Sequence, residues 1–306
     1  MATSLKKPPR LKAGDTIQII APASPFDPEA FLRGVARLKE WDFQVRYRDD
    51  IFAKKRYLAG GDERRLQELQ QALEDPQVNA IFVARGGYGS GRLLPSLGKF
   101  HPPQQAKILL GYSDISSLLI FARQQWGWVT FHGPVVAKDI GDRLGEQGAA
   151  SLQRTLTDPK PLGRLQPKGM VALHAGTAEG SLVGGCLSLI HCGLGTPYQL
   201  KTEGCVLYLE DVGELLYSLD RMLTHLRHAG LFRKVRGIIF GPLKDAHDSP
   251  EVIQEMLKDV LGDLAVPMLL GFPSGHIEDS WTIPLGLPVT MDAGEGSVTF
   301  SEGAVL

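Results

Sequence analysis

Residues 107–120 read KILLGYSDISSLLI. The apolar run Ile108-Leu109-Leu110 stops at Gly111-Tyr112-Ser113-Asp114, and a second apolar run begins three residues later. The first run is short and continuous, as in a strand buried on both faces, and the second reads as a helix. A strand feeding a helix is the unit from which parallel α/β sheets are built. The serine at the joint has two possible duties. It caps the helix with its hydroxyl, or it is a nucleophile held out at the end of a sheet strand.

The same alternation continues on both sides of the joint. TIQIIAPAS (16–24), FQVRYR (43–48), VNAIFVAR (78–85) and WVTFHGP (128–134) read as strands. Between them, Pro28 to Leu38 puts Phe31, Leu32, Val35 and Leu38 on one helical face. Asp62 to Leu73 repeats Leu66, Leu69 and Leu73 with Asp62 near its start, and Leu93–Leu97 and Ile115–Gln125 supply two more helices. This predicts an N-terminal α/β domain over residues 1–145 with a parallel sheet, whose ligands sit beyond the carboxyl ends of the strands.

From Gly141 to about Gly169 the chain turns polar, with Pro159, Pro161 and Pro167. A helix from Glu146 to Leu156 followed by a linker is expected over 146–175. A second, mixed domain (176–306) opens on GTAEGSLVGGCLSL. It continues through strand CVLYLE, helix LLYSLDRMLTHLRHAG, strand VRGIIFG, a helix around Glu251 to Val260, and strand PMLLG. Its tail, LPVTMDAGEGSVTFSEGAVL, reads as hairpins.

Bulk composition excludes several function classes. The chain has 306 residues, 43% hydrophobic and 22% charged, enough for a core that needs no disulfides. A formal net charge of -1 gives no electrostatic case for nucleic acid or an anionic membrane as partner. Cys186, Cys192 and Cys205 are odd in number and lack CxxC spacing, so reduced thiols in or near the core are expected, with no zinc site. The N-terminus lacks the apolar segment of a signal peptide, and the uncharged stretch from Ser181 to Leu200 is too rich in Gly and polar residues for a membrane span. A cytoplasmic protein is expected.

The loop VARGGYGSGRLL (83–94) follows a strand, where phosphate loops sit. GxGxxG fails in every register, and GxxxxGK[ST] started at Gly86 reaches Gly91 but then meets Arg92 and Leu93. No nucleotide cofactor is therefore indicated. Consecutive glycines still leave bare N–H groups that can face a negative charge, as an oxyanion hole requires. The plainer reading of the loop is a tight strand-to-helix turn.

A serine nucleophile needs a base. Of the eight histidines, His225 and His228 read as surface or cap residues of a helix, His101 and His247 as polar-loop residues, and His174 and His191 as packing residues. His132 is read as a core histidine near the site. His276 stands out in FPSGH, a loop after an apolar strand, where an imidazole is presented without being buried. A carboxylate to orient it is offered by CVLYLEDVGE: Glu210 at the strand end, with Asp211 and Glu214 as alternatives. The chain order Ser113, Glu210, His276 is that of α/β-hydrolases, although Ile115 replaces the last glycine of GxSxG.

Taken together, LKAGDTIQIIAPAS, ARGGYGSGRLL, GYSDIS, FHGP, GTAEGSLVGGCLSL, LEDVGELLYSLDRMLTHLRHAG and FPSGH resemble the LD-carboxypeptidase family, the murein tetrapeptide carboxypeptidases. The resemblance implies a flavodoxin-like or Rossmann-like N-terminal domain plus a smaller β-rich C-terminal one. It implies Ser113 as nucleophile, Glu210 as acid and His276 as base, with backbone N–H donors from Asp114 and from Gly86 or Gly87. It further implies a metal-free, cytoplasmic homodimer that removes D-alanine from the L-centre of diaminopimelate in recycled cell-wall tetrapeptide. Arg85 and Arg92, flanking the glycine loop, are candidates for holding the substrate carboxylate. Relatives in the family cleave microcin C-like peptidyl-nucleotides, which is the alternative substrate. A non-catalytic α/β protein binding a small anion is the alternative of another class, and it rests on the glycine loop alone.

Overall fold

The computed structural model describes residues 5–244 and 248–306. His247, read as a polar-loop residue, lies outside them. The first sheet contains β1 (Thr16–Ile20), β2 (Gln44–Arg46), β3 (Ala80–Val83), β4 (Ile108–Gly111) and β5 (Thr130–His132), all parallel. Their spatial order is 2-1-3-4-5, that of flavodoxin-like sheets. β3 and β4 are buried at every position, as continuous apolar runs between helical layers should be.

Helices α1 (Pro28–Glu40), α2 (Asp62–Glu74), α3 (Leu94–Leu97) and α4 (Ser116–Phe121) connect these strands. Asp27 caps α1 by accepting from the Glu29 N–H at 3.1 Å, and Pro28 opens the helix. Two details depart from the periodicity. Leu32, expected on the inner face of α1, is 49% exposed, while Gly34 fills that face against Val136. In α2 the fully buried positions include Arg65 and Glu68, and Leu66 is only half-buried. Arg65 donates to the carbonyls of Pro22 and Gly89, and Glu68 accepts from the Ala21 N–H at 2.7 Å. The charged face of α2 therefore ties strand-end loops together.

The second sheet is mixed and has eight strands. At its centre β8 (Thr177–Cys186), β9 (Cys205–Val212), β10 (Gly237–Lys244) and β11 (Met268–Leu270) run parallel. Antiparallel strands flank them: β6 (Gly163–Leu165), β7 (Val171–His174), β13 (Pro288–Asp292) and β14 (Ser297–Phe300). Helices α5 (Glu146–Thr157), α6 (Leu187–Cys192), α7 (Leu216–His228) and α8 (Pro250–Leu261) complete the chain. The stretch expected to be a linker after α5 thus contains two short edge strands, β6 and β7. Three or four half-exposed residues show no apolar alternation, and pairing partners distant in sequence hold them in place.

The two halves interlock. β12 (Ile283–Leu285), from the second half, pairs antiparallel with β5 and closes the edge of the first sheet, with Ile283 opposite His132. Pro284 is tolerated there because an edge strand leaves one side unpaired. The Ser116 hydroxyl at the start of α4 accepts from the Cys186 N–H at 3.0 Å. Gly185 permits that approach and Gly184 the close pass of β9, with φ of 142° and 140°. A Cβ at Gly184 would lie 1.8 Å from the Tyr208 carbonyl oxygen, and one at Gly185 would lie 2.6 Å from Ser116 Oγ.

Gly184→Ala should therefore destabilise the protein by about 2 kcal/mol or more, the combined cost of a strained φ and a backbone collision. Chemical denaturation checks this, with a lowered midpoint as the expected result.

Candidate active site

β4 ends at Gly111, Tyr112 is extended, and Ser113 turns to a left-handed φ of 64° before a short 3₁₀ turn leads into α4. A non-glycine residue in that region carries strain of about 1–3 kcal/mol, which the surrounding structure must hold. Neither the 3₁₀ turn nor α4 has a side-chain cap, so Ser113 does not serve as a helix cap. Two close approaches shape the joint. A Cβ on Gly111 would strike Ile115 at 2.8 Å, and one on Gly86 would strike Ser113 Cβ at 2.9 Å and Oγ at 3.1 Å. The glycine loop after β3 therefore packs directly on the serine.

That loop is fixed from below. The Asp114 carboxylate accepts from the N–H of Gly89 (3.2 Å) and of Ser90 (2.8 Å), and the Ser90 hydroxyl donates to the Asp114 carbonyl at 2.6 Å. The Ser24 hydroxyl, in the loop after β1, accepts from the Tyr88 N–H at 3.0 Å, and the Ser24 N–H donates to the Gly86 carbonyl. Among the described residues, nothing accepts from the N–H of Gly86, Gly87 or Asp114. Burial pushes the Asp114 carboxyl pKa up, against the pull of its N–H and hydroxyl donors. The sequence pattern does not single out Arg65, Ser24 or Ser90. Their only signals are a charged residue on an otherwise apolar helical stripe and small polar residues beside strand ends.

Glu210 sits at the end of β9, fully buried. Its Oε2 accepts from His276 Nδ1 at 2.7 Å and from the His276 N–H at 3.1 Å. Gly275 makes this possible, since a Cβ there would lie 2.3 Å from Glu210 Oε2. Burial by itself would raise the Glu210 pKa, but His132 and His276 outweigh it and hold the carboxyl down at about 2. Asp211 instead accepts from the N–H of Ser188 at the start of α6, and no hydrogen bond joins Glu214 to His276 among the described residues. The choice among the three acids falls on Glu210 by contact.

His132 is both core and site neighbour. The single proton of the Ser274 hydroxyl goes to the Trp281 carbonyl (2.9 Å), so His132 Nδ1 donates to Ser274 Oγ (3.1 Å). His132 Nε2 then faces Glu210 Oε1 at 3.6 Å, and neither atom has another partner. The Tyr112 ring packs edge-on against His276 at 4.8 Å and His132 at 5.9 Å, which places the serine joint beside the Glu210–His276 pair. No hydrogen bond joins Ser113 to His276 among the described residues, and such bonds are often long in unliganded sites.

The remaining sequence candidates separate. Arg92 forks onto Asp62, with Nε at 2.8 Å and a terminal nitrogen at 2.5 Å from Oδ2, and is committed there. Arg85 is exposed and gives one N–H to the Pro25 carbonyl at 2.7 Å. His191 and His225 meet each other at 2.9 Å between α6 and α7. His174 and Cys192, expected to be packed, are exposed. A cleft of about 450 Å³ adjoins Gly87 and Asp114 between α4 and α6, walled by Tyr88, Leu189 and Tyr198. Among the described residues, no cluster of three or more potential ligands is placed to hold a metal, and no helix is long and apolar enough to cross a membrane.

Comparison with known proteins agrees with this layout. Residues 17–133 match the LD-carboxypeptidase N-terminal domain and residues 179–291 the LD-carboxypeptidase C-terminal domain. The chain is 35% identical to a probable murein peptide carboxypeptidase of Bacillus subtilis (strain 168), over 97% of this chain and 95% of that protein. Muramoyltetrapeptide carboxypeptidase from Oxalobacter formigenes superposes with a TM-score of 0.80 at 26% identity, covering 93% of this chain and 97% of that one. Wild-type microcin C7 self immunity protein MccF superposes with a TM-score of 0.88 at 25% identity, covering 98% and 99%. The chain belongs to the LD-carboxypeptidase family and is a peptidase by that membership.

The depressed Glu210 pKa carries a sign. Its folded value, about 2, lies below the ordinary 4.5, so its contribution to stability is complete above pH 4.5 and is lost as pH falls toward 2. Glu210→Gln should lower stability at pH 7 by on the order of 3 kcal/mol and flatten the acid limb between those values. Denaturant titrations of both proteins from pH 7 to pH 2.5 measure this. Parallel acid limbs would contradict it.

Proposed function

We propose that the protein is a serine LD-carboxypeptidase. It hydrolyses the bond between the L-centre of diaminopimelate and terminal D-alanine in murein tetrapeptide, in the cytoplasm, during peptidoglycan recycling. The carrying observation is the buried Glu210 bound to His276 Nδ1 at 2.7 Å, beside a serine held at a left-handed φ of 64°. With Nδ1 committed to Glu210, Nε2 is the basic nitrogen of His276. It takes the Ser113 proton as Oγ attacks the scissile carbonyl. Glu210 holds the imidazole in this tautomer and stabilises the imidazolium that forms. The N–H of Asp114 and that of Gly86 or Gly87 receive the oxyanion. His276 then protonates the leaving D-alanine amine, and water hydrolyses the acyl-enzyme through the same base.

One observation favours a second substrate, a microcin C-like peptidyl-nucleotide: the superposition on the microcin C7 self immunity protein. The chemistry at Ser113 would be the same. Each substrate offered separately to the purified protein, with products identified by mass spectrometry, distinguishes the two.

Ser113→Ala should lower the rate of D-alanine release by at least about a thousandfold while leaving tetrapeptide affinity within a few-fold. Full activity in this variant would sink the serine mechanism, and absence of release by the wild-type protein would sink the substrate assignment.

A further inference from the structure

The mouth of the site carries three cations, Arg85, Lys138 and Arg143. Arg85 directly precedes Gly86, the residue packed on Ser113. Lys138 lies in the π-helical segment Val136–Ile140 that follows β5. The Ala137 N–H donates to the Ala84 carbonyl at 2.9 Å, which sets Lys138 alongside Arg85. Arg143 follows in the next turn, and its carbonyl accepts from the Asp279 N–H at 3.1 Å. That bond fastens Arg143 to the loop that carries His276. Three strand-end segments, 84–86, 136–143 and 275–280, therefore converge and bring the cations at 85, 138 and 143 to the edge where Ser113 stands.

All three cations are exposed, and among the described residues none has a carboxylate within ion-pair distance. Three of the acids nearby have other partners. Asp139 is buried, accepting from the Tyr112 hydroxyl (3.2 Å) and the Val135 N–H (2.9 Å). Asp142 pairs with Arg33 at 2.6 Å, and Asp279 accepts from the Gly148 N–H at 2.6 Å. Glu278 is exposed beside them. Burial, the largest cause, and the charges of Arg143 and Arg85 push the Lys138 pKa down, against the pull of Asp139. Arg143 and Arg85 repel Lys138, the buried Asp139 offsets only part of that repulsion, and an added anion relieves the rest.

We propose that Arg85, Lys138 and Arg143 form the subsite that takes the free terminal carboxylate of an anionic peptide substrate. The inference rests on the peptidase reading and adds which residues make the protein an exopeptidase. Arg92 stands apart from these three: it forks onto Asp62 and lines the cleft beside Gly87 and Asp114. The three cations are positioning and specificity residues. They set the distance between the carboxylate and Ser113 so that the last peptide bond lies at the hydroxyl. None of them lines the 450 Å³ cleft beside Asp114, which is left for the acyl part of the peptide.

The test compares murein tetrapeptide with its C-terminal amide in the wild-type protein and in Arg85→Gln, Lys138→Gln, Arg143→Gln and the triple variant. Hydrolysis is followed by mass spectrometry, and binding is followed by calorimetry in the Ser113→Ala background. The wild-type protein should prefer the acid over the amide. The triple variant should raise KM for the acid by about ten- to a hundredfold with kcat changed only a few-fold, and its acid-to-amide ratio should fall toward one. A wild-type protein that releases D-alanine, with a ratio unchanged in the triple variant, overturns the subsite and leaves the peptidase reading standing. A wild-type protein that releases nothing but binds the acid over the amide through these cations overturns the peptidase reading and upholds the subsite. Absence of both release and acid-selective binding overturns both.

Discussion

A single buried charge organises this molecule. Glu210 has no exposed surface, and an unpaired carboxylate so placed would cost several kcal/mol. It is tolerable because one residue brings two donors to Oε2 and a second imidazole lies close to Oε1. His276 supplies both its backbone N–H and its ring, and His132 faces the other oxygen from the first sheet. The loop 272–276 must pass close over the carboxylate, hence Gly275. The edge strand β12 reaches β5 along the chain from Ser274 to Ile283, which joins His132 through Ser274 and Trp281. The pairing of the two halves is in this sense a requirement of the Glu210 charge.

The serine joint is built on the opposite logic. Ser113 is strained, and its neighbours are committed in ways that keep it so. Gly86 leaves room for the side chain on one side, and Asp114 is pinned to Gly89 and Ser90 on the other. Arg65 grips the carbonyls of Pro22 and Gly89 from beneath. The N–H groups of Tyr88, Gly89 and Ser90 all have acceptors, and those of Gly86, Gly87 and Asp114 do not, among the described residues. A site that leaves donors free in a rigid frame loses little to reorganisation when charge develops there.

Much of this is legible in the order of the amino acids alone. Short apolar runs mark β1, β3 and β4 because both faces of a parallel strand are covered. GYSDIS marks the joint because a glycine and a serine between such a run and a helix have few other uses. The failures are equally physical. β6, β7 and β12 leave no local signal because strands of three or four residues are stabilised by distant pairing partners and show no period. Periodicity misplaces Leu32 because Gly34, with no side chain of its own, lets α1 approach Val136 and turns Leu32 outward. Arg92 looks available because nothing local reveals that Asp62, thirty residues earlier, reaches its guanidinium.

Legible in the residues alone are the alternation of strand and helix and the strand-end positions of Ser113, Glu210 and His276. These follow from local pattern, since burial and backbone freedom act over a few residues. Which of Glu210, Asp211 and Glu214 meets His276, whether Ser113 caps a helix, and which arginines are left without a partner emerge only in three dimensions. Those are questions of distance between segments far apart in the chain, and the register of two sheets settles them.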